Sequence, residues 1–437
     1  MRLAIARIVK QKKKMEEQVG QMLTRYPAYL YNLFYGFGLY LVLPLFDIPL
    51  LGLSISAPIF FVIAATVIFK PIKPWFNEHR GWIILSLAIW LAVALSTIIN
   101  EMLPGGAFNR AGMISIIQYA YWLLVFVICG YLFRDVEIRK KISQIFAIAI
   151  FVLVCLRWYE ALFEGKMGAW AGTRFMTENG YGFNFSVFSP FLFLRSVDKD
   201  VKKRGFWVFA TILLLGAVAI NGSRGSWVAI ALGVCISVVT FIVTDRKNAA
   251  NVLLVLAVLF CVGYIAMSLS PTISKAVNDR FQTLSSLEED KTYVVRKVLV
   301  RKGLTLFEES PLIGVGSARF AQEKVELELP ELLQHVDREA IGRKSSHNSY
   351  IQFLAEFGLI GAIPFSIMLF YLLVRGALLS FKDIDDRFDY LRYFVAFLQM
   401  SVHMYVISSI TGTLAWVMYG SLVGIIIDHD HKRLKLT

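Results

Sequence analysis

Runs of about 20 apolar residues recur from one end of the chain to the other, each long enough to cross a bilayer as a helix. They fall at roughly 30–47, 50–69, 82–99, 113–133, 142–160, 182–196, 206–221, 226–244, 251–269, 348–374, 390–410 and 412–427, which gives about twelve spans. The polar connections between them alternate in charge. Connections 70–81, 134–141, 195–205, 245–250 and 375–389 and both termini are rich in Lys and Arg; Arg139-Lys140-Lys141 and Lys202-Lys203-Arg204 are clear runs. Connections 100–112, 161–181, 221–226 and 408–413 hold few. By the positive-inside rule the basic set and both ends are cytoplasmic, as an even span count requires. The pattern predicts an all-α polytopic membrane protein.

One connection differs. Residues 270–346 form a mixed-charge segment on the outer face, long enough for helices of its own. Val294, Val295, Val298 and Leu299 recur at helical spacing, and Pro311 to Gly316 reads as a turn. A folded helical cap is expected. The chain then divides into a basic N-terminal segment (1–29), nine spans (30–269), the cap (270–346), three spans (347–427) and a tail (428–437). Residues 1–26 read either as a basic amphipathic helix on the cytoplasmic leaflet or as a disordered basic tail.

Composition narrows the class. Of 437 residues, 57% are hydrophobic, with a mean hydropathy of +0.60, where soluble domains hold about 45–50% apolar residues. A formal charge of +13 could suggest nucleic acid, but the surplus sits in connections on one side, so membrane orientation accounts for it. The basic N-terminal stretch lacks the small-residue cleavage site of a signal peptide. Cys129, Cys155, Cys235 and Cys261 lie inside apolar runs and are expected to pack as small hydrophobes. Walker, Rossmann and Cys/His metal spacings are absent.

Three outer-face features could carry chemistry. Asn221-Gly-Ser223-Arg224-Gly225-Ser is a tight connection that puts Arg224 at the membrane surface, where it either serves a ligand or snorkels to lipid phosphate. Arg296, Lys297, Arg301 and Lys302 form a basic cluster. Positions five apart on a helix are rotated by about 140°, so at most one or two of these can line a single site. His347, beside Asn348 at the start of a span, titrates near neutrality and can accept a proton from an attacking hydroxyl. His335 competes with it in the same loop. His403 falls within the eleventh span and is expected to be packed or hydrogen-bonded to a neighbour, and His429 and His431 lie on the tail.

His347-Asn348-x9-Gly358 followed by Leu359-Ile360-Gly361 is similar to the signature of bacterial O-antigen ligases. Ser223-Arg224-Gly225 resembles the outer-face turn of the ligase and polymerase superfamily. Arg296 upstream of Pro311-Leu-Ile-Gly314-Val-Gly316 resembles the start of its large loop. The likeness covers roughly residues 210–380 and the layout of spans. A departure lies after Gly316, where Ser-Ala-Arg-Phe replaces the usual further glycine.

The resemblance implies a fold like that of the glycosyltransferase C-type membrane enzymes. It implies transfer of a glycan from undecaprenyl diphosphate to lipid A–core at the periplasmic face of the inner membrane. His347 would then be the base and Arg224 and Arg296 would bind diphosphate, with Asn348, Arg301, Arg174 and Ser223 as supporting candidates. No carboxylate cluster is evident, so a metal-independent reaction without cofactor is expected. The partners would be the two lipid substrates and membrane lipids, and no nucleic acid. Alternatives are an O-antigen polymerase, a protein O-oligosaccharyltransferase and, from another class, a lipid-linked glycan transporter. Transporters often show repeats and broken helices; neither is read here.

Overall fold

The computed structural model describes residues 28–43, 80–102, 109–166, 175–198, 201–271, 287–326, 328–382, 387–408 and 412–434, and a few single positions between them. Residues 1–26 and most of the predicted span at 50–69 lie outside the described residues. The rest is a helical bundle with a cap at one end, and no strand occurs among the described residues. The bundle helices before the cap are α1 (Ala28–Val42), α2 (Arg80–Met102), α3 (Arg110–Leu132), α4 (Val136–Phe163), α5 (Glu178–Val197), α6 (Arg204–Asn221), α7 (Arg224–Thr244) and α8 (Arg246–Leu269). The cap holds α9 (Lys291–Glu309) and the short α10 (Arg338–Gly342). Helices α11 (Ser349–Ser380), α12 (Arg387–His403) and α13 (Thr413–Leu434) complete the bundle. The chain is a multi-pass membrane protein.

Among the described residues, seven helices are long and apolar enough to cross a bilayer: α2, α3, α4, α6, α7, α8 and α11. Helices also stand at the places predicted for the first, sixth, eleventh and twelfth spans, but α1 and α12 are short, and α5 and α13 are more polar. Position explains the polarity of two of them. Sixteen of the 20 residues of α5 and 13 of the 17 of α12 are buried inside the bundle. A helix enclosed by protein can carry Asn184, Ser186, Gln399 and His403, because neighbours rather than lipid meet those groups. By contrast α8 turns Leu253, Leu254, Val258 and Phe260 outward, as a lipid-facing helix must. Helix α13 continues past the predicted end of its span to Leu434.

The connections sort to two ends. At one end Arg139 meets Asp428 at 2.9 Å, Arg392 meets Asp198 at 2.7 Å, and Arg387 donates to the Thr244 carbonyl at 3.3 Å. These are the basic connections. At the other end Asn109 reaches Ser317, Asn221 reaches Glu178, and Ser349 reaches Met404 and Ile407. The cap sits there. Its α9 buries Val294, Val298 and Leu299 against Val315, Phe320, Leu333, Ile341 and Ala355, as their spacing predicts.

Helix α11 is not continuous, although the sequence reads it as one span. It breaks at Gly358, whose φ of 54° lies in the left-handed region. The turn from Pro311 to Gly316 docks into the break. Leu359 and Ile360 donate to the carbonyls of Pro311 and Leu312 at 2.9 and 3.1 Å, and Val315 and Gly316 donate to Ala355 and Glu356 at 3.0 and 2.9 Å. A Cβ on Gly358 would collide with the Leu312 carbonyl, and one on Gly314 (φ 68°) with the Glu356 backbone. The glycines of the two motifs are therefore two halves of one joint. Residues 359–380, 22 in number, measure about 33 Å as a helix and span a hydrocarbon core of about 30 Å alone. Residues 349–357 thus form a separate helical arm beside the cap.

Candidate active site

Where the cap meets the bundle lies a cavity of about 780 Å³. Its walls come from the start of α5 (Glu178), the turn into α7 (Ser223–Gly225), the start of α9 (Asp290–Arg296), the segment before α11 (Lys344–His347) and the end of α12 (His403). Arg224, Arg296 and His347, far apart in sequence, line it together. Ser223 lines it too.

Gly222, with a φ of 70°, closes α6 and lets the chain reverse in one residue. Ser223 precedes α7 but makes no side-chain cap bond, so the first turn of α7 faces the cavity without a capping side chain. Such an N-terminus attracts anions. Arg224 extends from it and pairs with Asp290. Asp290 also caps α9 by accepting from the amides of Thr292 and Tyr293 at 2.7 and 3.3 Å. Burial would raise the Asp290 carboxyl, but the Arg224 charge and these amides outweigh it and hold its pKa below the usual carboxylate value.

Arg296 sits one face of α9 away. It makes no hydrogen bond or ion pair among the described residues. Burial and then the neighbouring charge of Arg224 lower its pKa. Two cations facing one space, only one of them paired to a carboxylate, suit an anionic ligand with more than one charge.

His347 has a φ of 50°, a left-handed conformation that a non-glycine residue rarely adopts. Its neighbours hold it there. The Ser346 hydroxyl donates to the Asn348 carbonyl at 2.6 Å and accepts from the Asn348 amide at 3.0 Å. The Asn348 side chain caps α11 through Tyr350 and Ile351, both at 3.1 Å. Asn348 therefore works by orienting the segment, not by lining the cavity. Burial, then the charges of Arg296 and Lys344, lower the His347 pKa, which keeps the imidazole in its proton-accepting form at neutral pH.

The remaining candidates fall elsewhere. Arg301 is 78% exposed and faces Glu328 on the cap surface, so it does not support the cavity. Lys297 pairs with Glu288 in solvent, while Lys302 is buried and donates to the Gly342 carbonyl at 2.7 Å. Only Arg296 of the basic cluster reaches the site, since the others project from different faces of α9. His335 is exposed on the cap. Arg174 lies outside the described residues. Reading the sequence missed Glu178 and Asp290; it had His403 as packed or hydrogen-bonded, as its contact with Ser186 bears out, but not its place on the cavity wall. Asp290 carried the helix-start signal of an N-cap, but nothing in its neighbourhood indicated Arg224.

A second, largely apolar groove of about 800 Å³ joins the cavity and shares Arg224, Gly225, Arg296 and Val406 with it. Arg224, Val228, Leu232 and Ile236 recur every fourth residue, so one face of α7 carries the groove about 18 Å away from the guanidinium. Tyr293 and Tyr350 flank its upper part, and Leu373 and Leu398 line it further along. Among the described residues no three His, Cys, Asp or Glu side chains converge in a group that could hold a metal ion.

Residues 209–366 match the model of the O-antigen ligase family. That stretch contains Arg224, Arg296, the docked turn and His347. Over 328 residues, 72% of this chain and 77% of the other, the sequence is 22% identical to an uncharacterized protein of Haemophilus influenzae. The resemblance read from the Ser223, Pro311 and His347 motifs is thus found again across the whole matched segment. Over residues 209–366 this multi-pass membrane protein is thus similar to the O-antigen ligase family, which supports a ligase- or polymerase-type function.

Proposed function

We propose that the protein is an O-antigen ligase. It would transfer a glycan from undecaprenyl diphosphate to a sugar hydroxyl of lipid A–core at the periplasmic face of the inner membrane. The observation that carries this reading is the continuity of a cationic cavity with an apolar groove at Arg224 and Arg296. A polyprenyl diphosphate has the same layout: a long apolar tail, then a compact double charge, then sugars. Four Lys or Arg and two carboxylates line the cavity, which leaves it cationic. Arg224 and Arg296 would grip the diphosphate through planar, permanently charged forks. Two lipid substrates held in one plane meet with a greatly raised effective concentration.

The chemistry is a direct displacement with inversion. The acceptor oxygen bonds to the anomeric carbon as the bond from that carbon to the phosphate oxygen breaks. The electron pair leaves on the diphosphate, whose developing charge the two arginines stabilise. The hydroxyl proton passes to His347. The diphosphate is already an activated leaving group, so the reaction needs no nucleotide, and we infer that it needs no metal.

Purified protein in vesicles, given polyprenyl diphosphate glycan and either lipid A–core or a second polyprenyl-linked glycan, tests the assignment. Product on lipid A–core that disappears in His347→Ala supports the ligase. Chain extension on the polyprenyl carrier alone would make it a polymerase with the same site. Transfer that persists in EDTA supports the metal-free step, and strict dependence on added magnesium would overturn it.

A further inference from the structure

The cavity holds a second imidazole whose chemistry the reading above does not use. His403 is 1% exposed, at the end of α12. Its Nδ1 lies 2.8 Å from the hydroxyl of Ser186 on α5, and Phe183 stands edge-on to the ring with centroids 5.6 Å apart. The Ser186 hydroxyl also lies 2.8 Å from the Gly182 carbonyl. Both contacts are hydrogen bonds at once only when the hydroxyl donates to that carbonyl and accepts from His403, an arrangement in which Nδ1 carries the hydrogen and Nε2 a lone pair.

A comparison one turn earlier on α12 separates two roles. Gln399 is also buried and also meets a serine of α5: Ser189 donates to its Oε1 at 3.0 Å, and its Nε2 reaches the Ile230 carbonyl at 3.5 Å. Both ends of that amide are met by protein, as a structural polar bridge requires. His403 has only one nitrogen met. Its Nε2 has no hydrogen-bond partner among the described residues, while the residue lines the cavity. Gly225 of the Arg224 turn lies across from it, where even a Cβ would stand 3.4 Å from Nε2. The nitrogen therefore faces the space beside Arg224.

A lone pair in that place calls for a donor. An ionised diphosphate offers only acceptors and would be repelled, whereas a sugar hydroxyl fits. Resting on the reading of this cavity as a glycan-transfer site, we propose that His403 is a substrate-contacting residue whose Nε2 accepts a hydrogen bond from a sugar hydroxyl held beside the diphosphate. Ser186 is its positioning residue, because it fixes the tautomer.

Protein labelled with ¹⁵N-histidine, in vesicles, tests this by NMR, with His403→Gln identifying the resonance. Three probes are added in turn: polyprenyl diphosphate alone, polyprenyl diphosphate bearing one sugar, and a core-type glycolipid. The expected result is an unprotonated Nε2 at rest that shifts with a sugar-bearing probe and not with the bare diphosphate. Whichever sugar-bearing probe shifts it assigns the hydroxyl to donor or acceptor. A protonated Nε2 at rest, no shift with either sugar-bearing probe, or an equal shift with bare diphosphate would each overturn the proposal. In transfer assays His403→Leu is expected to raise the KM of that substrate about tenfold, the size of one hydrogen bond. His403→Gln, which restores an acceptor near the Nε2 position, should recover most of the loss, and failure to recover it counts against the contact. A wild-type protein that transfers no glycan would refute the proposed function, while the tautomer and the sugar-dependent shift would still be read independently.

Discussion

Both ends of this bundle bury arginine, and they treat it in opposite ways. At the end formed by the basic connections, Arg139 reaches Asp428 and Arg392 reaches Asp198 and Asp389, with side chains about one-twentieth exposed. Those guanidiniums tie α4, α5, α12 and α13 together, and their charge is answered by protein. At the cap end, Arg296 meets no carboxylate at contact distance among the described residues, and Arg224 shares one with the amides of α9. Buried charge that is answered fixes helices in place. Buried charge left in excess beside an open cavity is a demand for a ligand.

The largest effect expected is at the base. His347→Ala should lower transfer by about 10²–10⁴-fold, the range of general base catalysis, with the protein still folded by its thermal transition. Full activity would remove His347 from the mechanism. Next, Arg224→Ala and Arg296→Ala should each cost about 10²–10³-fold in turnover, as loss of an electrostatic donor does, with little change in unfolding temperature. The same substitution at the closed end should do the reverse. Arg392→Ala removes the guanidinium that Asp198 and Asp389 both meet and should destabilise the protein by about 3–5 kcal/mol. Equal effects on activity and stability at both ends would break the contrast drawn between them.

The smallest effect is in the pH profile. Burial and the charges of Arg296 and Lys344 lower the His347 pKa, so its base form persists below the usual imidazole value of about 6.5. The rate at limiting substrate should be flat near neutrality and fall only as pH drops through that lowered pKa. Removing one of the two cations, by Lys344→Gln, should move the inflection upward. An inflection that stays put in this variant would separate His347 from the charge of its neighbours.

Much of this arrangement was readable in the chain. Apolar length placed the helices, and the alternation of basic connections sorted them to two ends, at one of which the Arg139, Arg392 and Arg387 contacts hold the basic connections together. Arg224, Arg296 and His347 stood out because each sits in a motif or at the boundary of an apolar run. What hid the rest was distance along the chain. Asp290 looks like any helix cap until α7 is beside it. His403 looks like a core histidine until α5 and the cap show that one nitrogen faces a wall and the other a space. The break at Gly358 was hidden for a similar reason: its backbone partners lie at least 40 residues earlier, in the Pro311–Gly316 turn.

That joint also bears on how the chain is made. Ala355, Glu356, Leu359 and Ile360 have backbone groups that the break leaves outside the helical ladder, and a bilayer offers them no partners. The turn that satisfies them is synthesised first, because residues 311–316 precede α11. The turn is therefore in the chain before the helix that needs it. A version of this protein circularly permuted between the cap and α11 would make the broken helix before the turn that completes its hydrogen bonds.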